Sequence, residues 1–368
     1  MTSDSTSDSQ LPATGQPSAR GICVIMAGGR GTRFWPLSRT DRPKQLHALA
    51  SGRSLLRETY ERVAPLVGAD RILVITSGSL AAATQAELPE LPPENIITEP
   101  VGRNTAPCAV LGIGIAGRIA PGEPVALLPA DHFIPDDEIY RAQLAEAMAC
   151  VKTVVTFGIR PDRPETGYGY IETDSKSDEA RIGLQFVEKP DLATAEGYVR
   201  DGRHLWNSGM FIWDPDFFAA TAAAEMPEIV AKMGPAVESF GTSRFGAALV
   251  EAYRDCPADS LDFAVMEKLS GFTVLPANFR WSDLGSWNAW GELAKPLAGT
   301  NRGLADLLSI ESEGNVIRVE DRLVALIGVH DMIIVSTDDA LLVCRKSDAQ
   351  RIKEIINKLE EDGRQDLL

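Results

Sequence analysis

Histidines, paired cysteines and long apolar runs are scarce in this chain of 368 residues, and each shortage removes a class of function. The four histidines include no pair four residues apart, so they offer no helical zinc site. Cys23, Cys108, Cys150, Cys256 and Cys344 are odd in number and scattered, with no CxxC pair. That pattern argues against structural zinc and a disulfide framework, and predicts a reducing, cytoplasmic setting. The longest charge-free apolar stretch of note, Cys108 to Gly117, stops at Arg118. It is about half of the ~20 residues that a membrane helix needs. Cations are also in the minority: 36 Lys and Arg against 52 Asp and Glu give a net charge of −16. Such a chain is suited neither to wrapping nucleic acid nor to resting on an anionic membrane, so any polyanion must meet a local cluster of cations.

What is present is ordinary globular material, 44% hydrophobic and 24% charged. The length predicts two domains at ~100–200 residues each, or three. Residues 1–20, rich in Ser, Thr, Asp, Gln and Pro, read as a disordered tail with no secretory or transit signal. From Gly21 onward, apolar strands alternate with helices: Ile22 to Met26, a helix capped by Ser54, Arg71 to Thr76, a buried helix Asn104 to Ile119, Val125 to Leu128, and Thr153 to Ile159. The alternation predicts an α/β fold with a mostly parallel sheet. Tyr168 to Glu172 and Gln185 to Val187 read as strands of a partly antiparallel insertion, and a helix follows around Asp216 to Glu225. A boundary is expected near Lys295 to Gly303. Beyond it lie four short β runs (316–319, 323–327, 332–335 and 341–343) separated by acidic turns such as Glu320-Asp321. A closing amphipathic helix is predicted with Ile352, Ile355, Ile356 and Leu359 on one face and a Ser347/Gln350 capping box.

Chemistry gathers first at Ala27-Gly28-Gly29-Arg30-Gly31-Thr32-Arg33, directly after the first strand. Glycines there let backbone N–H groups approach a phosphate. The spacing matches neither a Walker loop nor a dinucleotide fingerprint, since Phe34 stands where a small residue is needed. A plain tight turn is the competing reading. Five cations (Arg30, Arg33, Arg39, Arg42 and Lys44) fall within fifteen residues against the single acid Asp41, which favours a phosphate site over a solvated basic face. Asp131 in Leu-Pro-Ala-Asp-His and Asp283 in Trp-Ser-Asp-Leu-Gly follow sheet or loop edges. Magnesium is held by one or two carboxylates plus phosphate oxygens, but spacing alone does not show that these two meet, and each could be a turn or capping aspartate. His132 is expected to play a supporting part. Trp206, Trp281 and Trp287 are expected to pack rather than stack on a ligand.

The motifs, in chain order, are Gly28 to Ser38 with Arg42-Pro43-Lys44-Gln45, Glu99 to Pro107, Leu128 to His132, Glu165 to Ile171, Phe186 to Pro190, Trp206 to Phe211 and Trp281 to Trp287. With these residues the chain resembles the bacterial mannose-1-phosphate guanylyltransferases, or GDP-mannose pyrophosphorylases, over roughly residues 21 to 290. The resemblance implies a Rossmann-like mixed, mostly parallel sheet nucleotidyltransferase domain over 21–300. A small β domain, short and β-helix-like, with a terminal helix is implied over 301–368. It also implies GTP and mannose 1-phosphate as substrates, Mg²⁺ as cofactor and a homodimer. By the same resemblance, Arg33 and Lys44 neutralise the triphosphate, Asp131 and Asp283 hold the metal, and Gly28, Gly29, Gly31 and Thr32 cradle the nucleotide. Glu99 is the candidate for reading guanine, since a carboxylate accepts from both N1–H and the N2 amine; its rival role is capping the helix near Asn104. By the resemblance, Gly102, Arg103, Asn104 and Thr105 line the same region. Thr166, Gly167, Glu188, Lys189 and Asn207 are the candidates for the sugar phosphate. Many relatives carry a further isomerase domain; with none in this sequence, no isomerase activity is expected. The rivals are a nucleotidylyltransferase for another base or hexose 1-phosphate, and a catalytically silent subunit that senses GDP-mannose.

Overall fold

The computed structural model describes residues 19–368. Of the tail predicted over residues 1–20, residues 1–18 therefore lie outside the described part; Ala19 already donates its N–H to the Leu66 carbonyl at 3.2 Å. Nine strands form the main sheet: β1 Ile22–Met26, β2 Ile72–Ser77, β3 Ile96–Glu99, β4 Val125–Pro129, β5 Val154–Ile159, β6 Tyr170–Thr173, β7 Arg181–Val187, β8 His204–Trp213 and β9 Phe272–Pro276. Their order is β3-β2-β1-β4-β8-β5-β9-β7-β6. Neighbours run parallel through β3, β2, β1 and β4, and again between β5 and β9. Strand β8 lies antiparallel between β4 and β5 and joins the antiparallel β6 insertion to the sheet.

The central strands are near-continuous apolar runs because helices cover both faces. On one face Val24, Ile75 and Leu127 pack under the helix Thr105–Ile119. On the other, Ile25, Val74 and Leu128 meet the helices Leu55–Val67 and Asp137–Cys150. Ser54 caps the first of these by accepting from the Arg57 amide at 3.1 Å, as its sequence position predicts. Strand order reverses between β1 and β4, so the loops leaving their C-terminal ends open a crevice. Those loops carry the glycine-rich segment and Asp131.

A second sheet holds β10 Arg302–Ile310, β11 Val316–Ile327, β12 Met332–Ser336 and β13 Leu341–Arg345. The first three run parallel, and β13 returns antiparallel. Two expectations are corrected here. The runs 316–319 and 323–327 are one strand: Glu320 and Asp321 sit exposed within β11, opposite a register shift between Leu304 and Asp306, so the acids bulge instead of turning. The Ser347/Gln350 capping box does not form. Lys346–Arg351 is a 3₁₀ turn, and the helix Ile352–Glu361 starts from Arg351 without a side-chain cap. Ile352 and Ile356 are buried on its inner face, whereas Ile355 is exposed.

An apolar cluster joins this second unit to the first. Phe34, Trp35, Leu284, Trp287 and Trp290 pack with Ile333, Val335, Ile352 and Ile356. The terminal helix thereby sits directly behind the 3₁₀ turn Thr32–Phe34 that ends the glycine-rich loop.

Gly112 marks the closest helix–sheet approach: a Cβ there would lie 2.6 Å from Val24 Cγ1 and 2.9 Å from Ile75 Cδ1. Gly112→Val is expected to lower the unfolding free energy by about 1–3 kcal/mol through overpacking. Gly117→Ala on the same helix, whose nearest atom would be Pro215 Cβ at 3.9 Å, is expected to gain up to about 1 kcal/mol from helix propensity. Urea titration of both variants checks the sign of each change.

Candidate functional site

The glycine-rich loop is shaped around Lys44. Gly31 has φ +58°, and a Cβ on it would lie 2.3 Å from Lys44 Cβ, so no side chain fits at that position. Lys44 itself is buried. Its ammonium donates to Asp131 Oδ2 at 2.9 Å and to the backbone carbonyl of Asp283. The two aspartates, which spacing left unconnected, are therefore brought together. A two-way backbone bridge between Phe133 and Ser282, at 2.9 and 3.0 Å, fixes their loops to each other. Asp283 Oδ1 also accepts from the Tyr168 hydroxyl at 2.7 Å and from the Gly285 amide at 2.9 Å. Burial would raise the Asp131 carboxyl, but the charge and hydrogen bond of Lys44 outweigh it and hold Asp131 below the ordinary carboxylate range.

Two clefts share this wall of Asp131, His132 and Asp283. The larger, about 410 Å³, takes in Gly28, Gly29, Glu99, Gly102, Arg103, Asn104 and Thr105 on one side, and Gly167, Glu188 and Asn207 on the other. The smaller, about 270 Å³, is lined by Gly31, Thr32, Arg33 and Lys44. Of the predicted site residues, only Thr166 and Lys189 line neither cleft. Thr166 is exposed in the loop between β5 and β6. Lys189, with φ +48°, turns its ammonium onto Glu188 and leaves the side chain half exposed.

Glu99 ends β3 and is buried. The cap of the following helix is Asn104, whose side chain accepts from the Thr105 amide at 2.9 Å, so Glu99 is free of the capping role. Its Oε1 accepts from the Tyr253 hydroxyl at 2.7 Å. A Cβ on Gly28 would lie 2.9 Å from its Oε2, which places the carboxylate beside the glycine-rich loop. Burial pushes the Glu99 carboxyl up to about 6, against the opposing pull of the Tyr253 hydrogen bond. Arg103 donates to the carbonyls of Tyr253 and Arg254, tying the same wall to the helix Phe245–Arg254.

Three contributors escaped the sequence reading. Tyr253 carries no motif. Tyr168 stands inside a quoted motif but gains a role only through the loop that carries Asp283. Asp262 accepts from Asn207 Nδ2 at 3.0 Å, and burial followed by the nearby Glu188 charge pushes it up to about 6. Its neighbour Leu261 donates its amide to the Thr105 hydroxyl at 2.9 Å. Of the three tryptophans, Trp206 and Trp287 are buried, whereas Trp281 lines the larger cleft and donates to His132 Nδ1 at 3.2 Å.

Among the described residues no group of three or more His, Cys, Asp or Glu gathers to hold an ion unaided. Asp131 and Asp283 are two hard oxygen donors at the wall where the clefts meet. That set fits an ion which completes its shell with phosphate oxygens and water. Among the described residues the buried Arg33 Nε finds no hydrogen-bond partner, an orphaned donor beside the smaller cleft.

Residues 22–298 match the family model for nucleotidyl transferase. The chain belongs to the nucleotidyl transferase family. Residues 306–359 match a second model, the MannoseP isomerase/GMP-like beta-helix domain. This nucleotidyl transferase is 36% identical over 348 residues to the xanthan biosynthesis protein XanB of Xanthomonas campestris pv. campestris (strain B100), covering 93% of this chain and 73% of that protein. It is 36% identical over 353 residues to a mannose-1-phosphate guanylyltransferase of Escherichia coli (strain K12), covering 93% and 74%. A solved structure described as mannose-1-phosphate geranyltransferase from Thermus thermophilus superposes with a TM-score of 0.83 at 33% identity, over 92% of this chain and 99% of that one. Nucleotidyl transferases of this family generally use a divalent metal. Among the described residues no helix is long and apolar enough to cross a membrane.

The Tyr253 hydroxyl stabilises the ionised form of Glu99, so Tyr253→Phe is expected to move that carboxyl further above about 6. Carbon-13 NMR titration of the glutamate side chains reads the shift; a value that falls, or does not move, contradicts the assignment.

Proposed function

We propose that the chain transfers GMP from GTP to α-D-mannose 1-phosphate, giving GDP-mannose and pyrophosphate. The observation that carries the reading is the convergence of Lys44, Asp131 and Asp283 at the wall shared by a base-sized cleft and a cation-lined cleft. The names of relatives that align over nearly the whole chain support the same substrates.

Guanine lies against Glu99 and the Gly102–Thr105 segment, mannose 1-phosphate against Glu188, Asn207 and Gly167 with Lys189 and Thr166 at the rim, and the triphosphate runs over Gly28–Thr32 towards Arg33. The attacking group is a phosphate dianion, so no general base is required. A sugar-phosphate oxygen forms a bond to the α-phosphorus in line with the bond that breaks, and the electron pair leaves with pyrophosphate. The protein's part is positioning and charge neutralisation. Lys44 and Arg33 offset charge on the α-phosphate and the leaving pyrophosphate. Asp131 and Asp283 would hold Mg²⁺, which supplies charge neutralisation where the two phosphates meet.

We assign the transfer chemistry to residues 21–300 and the β unit to 301–368. Leu304, Leu308 and Ile310 of β10 are exposed beside Leu323 and Ile327 of β11, an apolar face that supports pairing of two copies into a homodimer. The five free cysteines support a cytoplasmic setting.

The reaction is tested by pyrophosphate release from GTP, mannose 1-phosphate and Mg²⁺, with ATP, UTP, dTTP and glucose 1-phosphate as substitutes. Release that requires GTP and mannose 1-phosphate supports the reading, and release with another pair overturns the base or sugar assignment. Absent release with retained GDP-mannose binding would favour the silent sensor. Asp131→Asn and Asp283→Asn are each expected to cut kcat by about 100-fold or more at unchanged far-UV circular dichroism, the scale of a lost transition-state charge contact. Protonated Glu99 loses an acceptor for guanine, so kcat/KM for GTP is expected to fall as the pH drops through about 6. Glu99→Gln is expected to remove that acidic limb and relax the preference for GTP over ATP; a limb that survives the substitution contradicts base reading.

A further inference from the structure

The smaller cleft has a wall that comes from neither the glycine-rich loop nor the main sheet. Lys353, in the first turn of the helix Ile352–Glu361, lines it together with Gly31, Thr32, Arg33 and Lys44. The placement is built in. Ile352 and Ile356 anchor this helix in the apolar cluster with Phe34 and Trp35, directly behind the loop. Arg30 pairs with Glu360 at 3.6 Å, and Trp35 Nε1 donates to the Leu367 carbonyl at 2.9 Å.

The charge around Lys353 is unbalanced. Its neighbour Glu354 is engaged by Arg351 at 3.0 Å, and among the described residues no carboxylate lies within 4 Å of the Lys353 ammonium. Repulsion from Arg33, then burial, then Lys189 hold its ammonium below the ordinary lysine range. Arg33 likewise has no acidic partner among the described residues, and its Nε is the buried orphan noted above. Unpaired cations facing one cleft repel one another and are stabilised together by a polyanion. The cleft shares Asp131, His132 and Asp283 with the larger one but is not lined by Glu188 or Asn207.

We propose that Lys353, supplied by the C-terminal unit, binds the β- and γ-phosphates of GTP and the pyrophosphate they become, so that the β unit completes the nucleotide site. The inference rests on the proposed reaction and adds a ligand that the glycine-rich motifs do not contain. Lys353 is an exposed residue, so its replacement is expected to leave the fold intact and to test binding.

The test compares wild-type, Lys353→Ala and Lys353→Arg in both directions of the reaction, with pyrophosphate affinity measured separately by titration calorimetry on the full chain. Lys353→Ala is expected to raise KM for GTP and for pyrophosphate, and the pyrophosphate Kd, by about 10-fold or more, the scale of one charge-assisted contact. KM for mannose 1-phosphate and GDP-mannose should stay within about twofold, and Lys353→Arg should recover most of the loss. Unchanged GTP and pyrophosphate constants in an active enzyme overturn the inference alone. So does an equal rise for GDP-mannose, which would mark a structural effect. A wild-type chain that makes no GDP-mannose overturns the proposed reaction and this inference with it.

Discussion

The two aspartate loops of the cleft are tied to the ammonium of Lys44, which reaches from a buried side chain to the Asp131 carboxylate and the Asp283 carbonyl. A charge so placed is costly unless it is fully partnered, and these contacts meet that cost while setting the distance between loops 131 and 283. Gly31 is part of the same constraint, because the loop must pass over Lys44 with no side chain between them. The Tyr168 hydroxyl then donates to the Asp283 carboxylate. The result is one short wall of charge shared by the larger cleft and the cation-lined cleft.

That wall is stiffened from behind. Phe34 and Trp35 follow the glycine-rich loop directly, and their rings pack with Trp287 and Trp290 just beyond Asp283. Trp287 Nε1 donates to the Trp35 carbonyl and Trp290 Nε1 to the Leu49 carbonyl, so the rings are held by direction as well as by burial. Ile333, Val335, Ile352 and Ile356 close the cluster from the second unit. A displacement of the terminal helix therefore acts on the glycine-rich loop through packed side chains, which links the stability of the β unit to the geometry of the site.

Much of this was legible in the sequence where it depended on local pattern. The apolar run Ile22 to Met26, the Ser54 cap and the helix after Asn104 all appear where periodicity and capping chemistry put them. Motif-borne residues such as Gly28, Glu99 and Asn207 gather in one cleft. What escaped depends on partners distant in the chain. Asp131 and Asp283 meet through Lys44 and the Phe133–Ser282 bridge, which no spacing encodes. Tyr253 and Asp262 are single residues whose meaning comes from Glu99 and Asn207 across the fold. In the β unit, Glu320-Asp321 resembles a turn, yet the ladder to β10 tolerates it as an exposed bulge. Ser347 and Gln350 have capping-box spacing, but the chain winds there as a 3₁₀ turn.

The central claim is that the Lys44-centred wall divides a nucleoside and sugar cleft from a pyrophosphate cleft. A crystal structure of the full chain with GDP-mannose, Mg²⁺ and pyrophosphate tests it most directly. The account predicts guanine against Glu99, mannose near Asn207 and Asp262, the diphosphate at Asp131 and Asp283, and pyrophosphate between Arg33 and Lys353. Guanine bound beside Asn207, or pyrophosphate bound away from the Arg33 cleft, would contradict it.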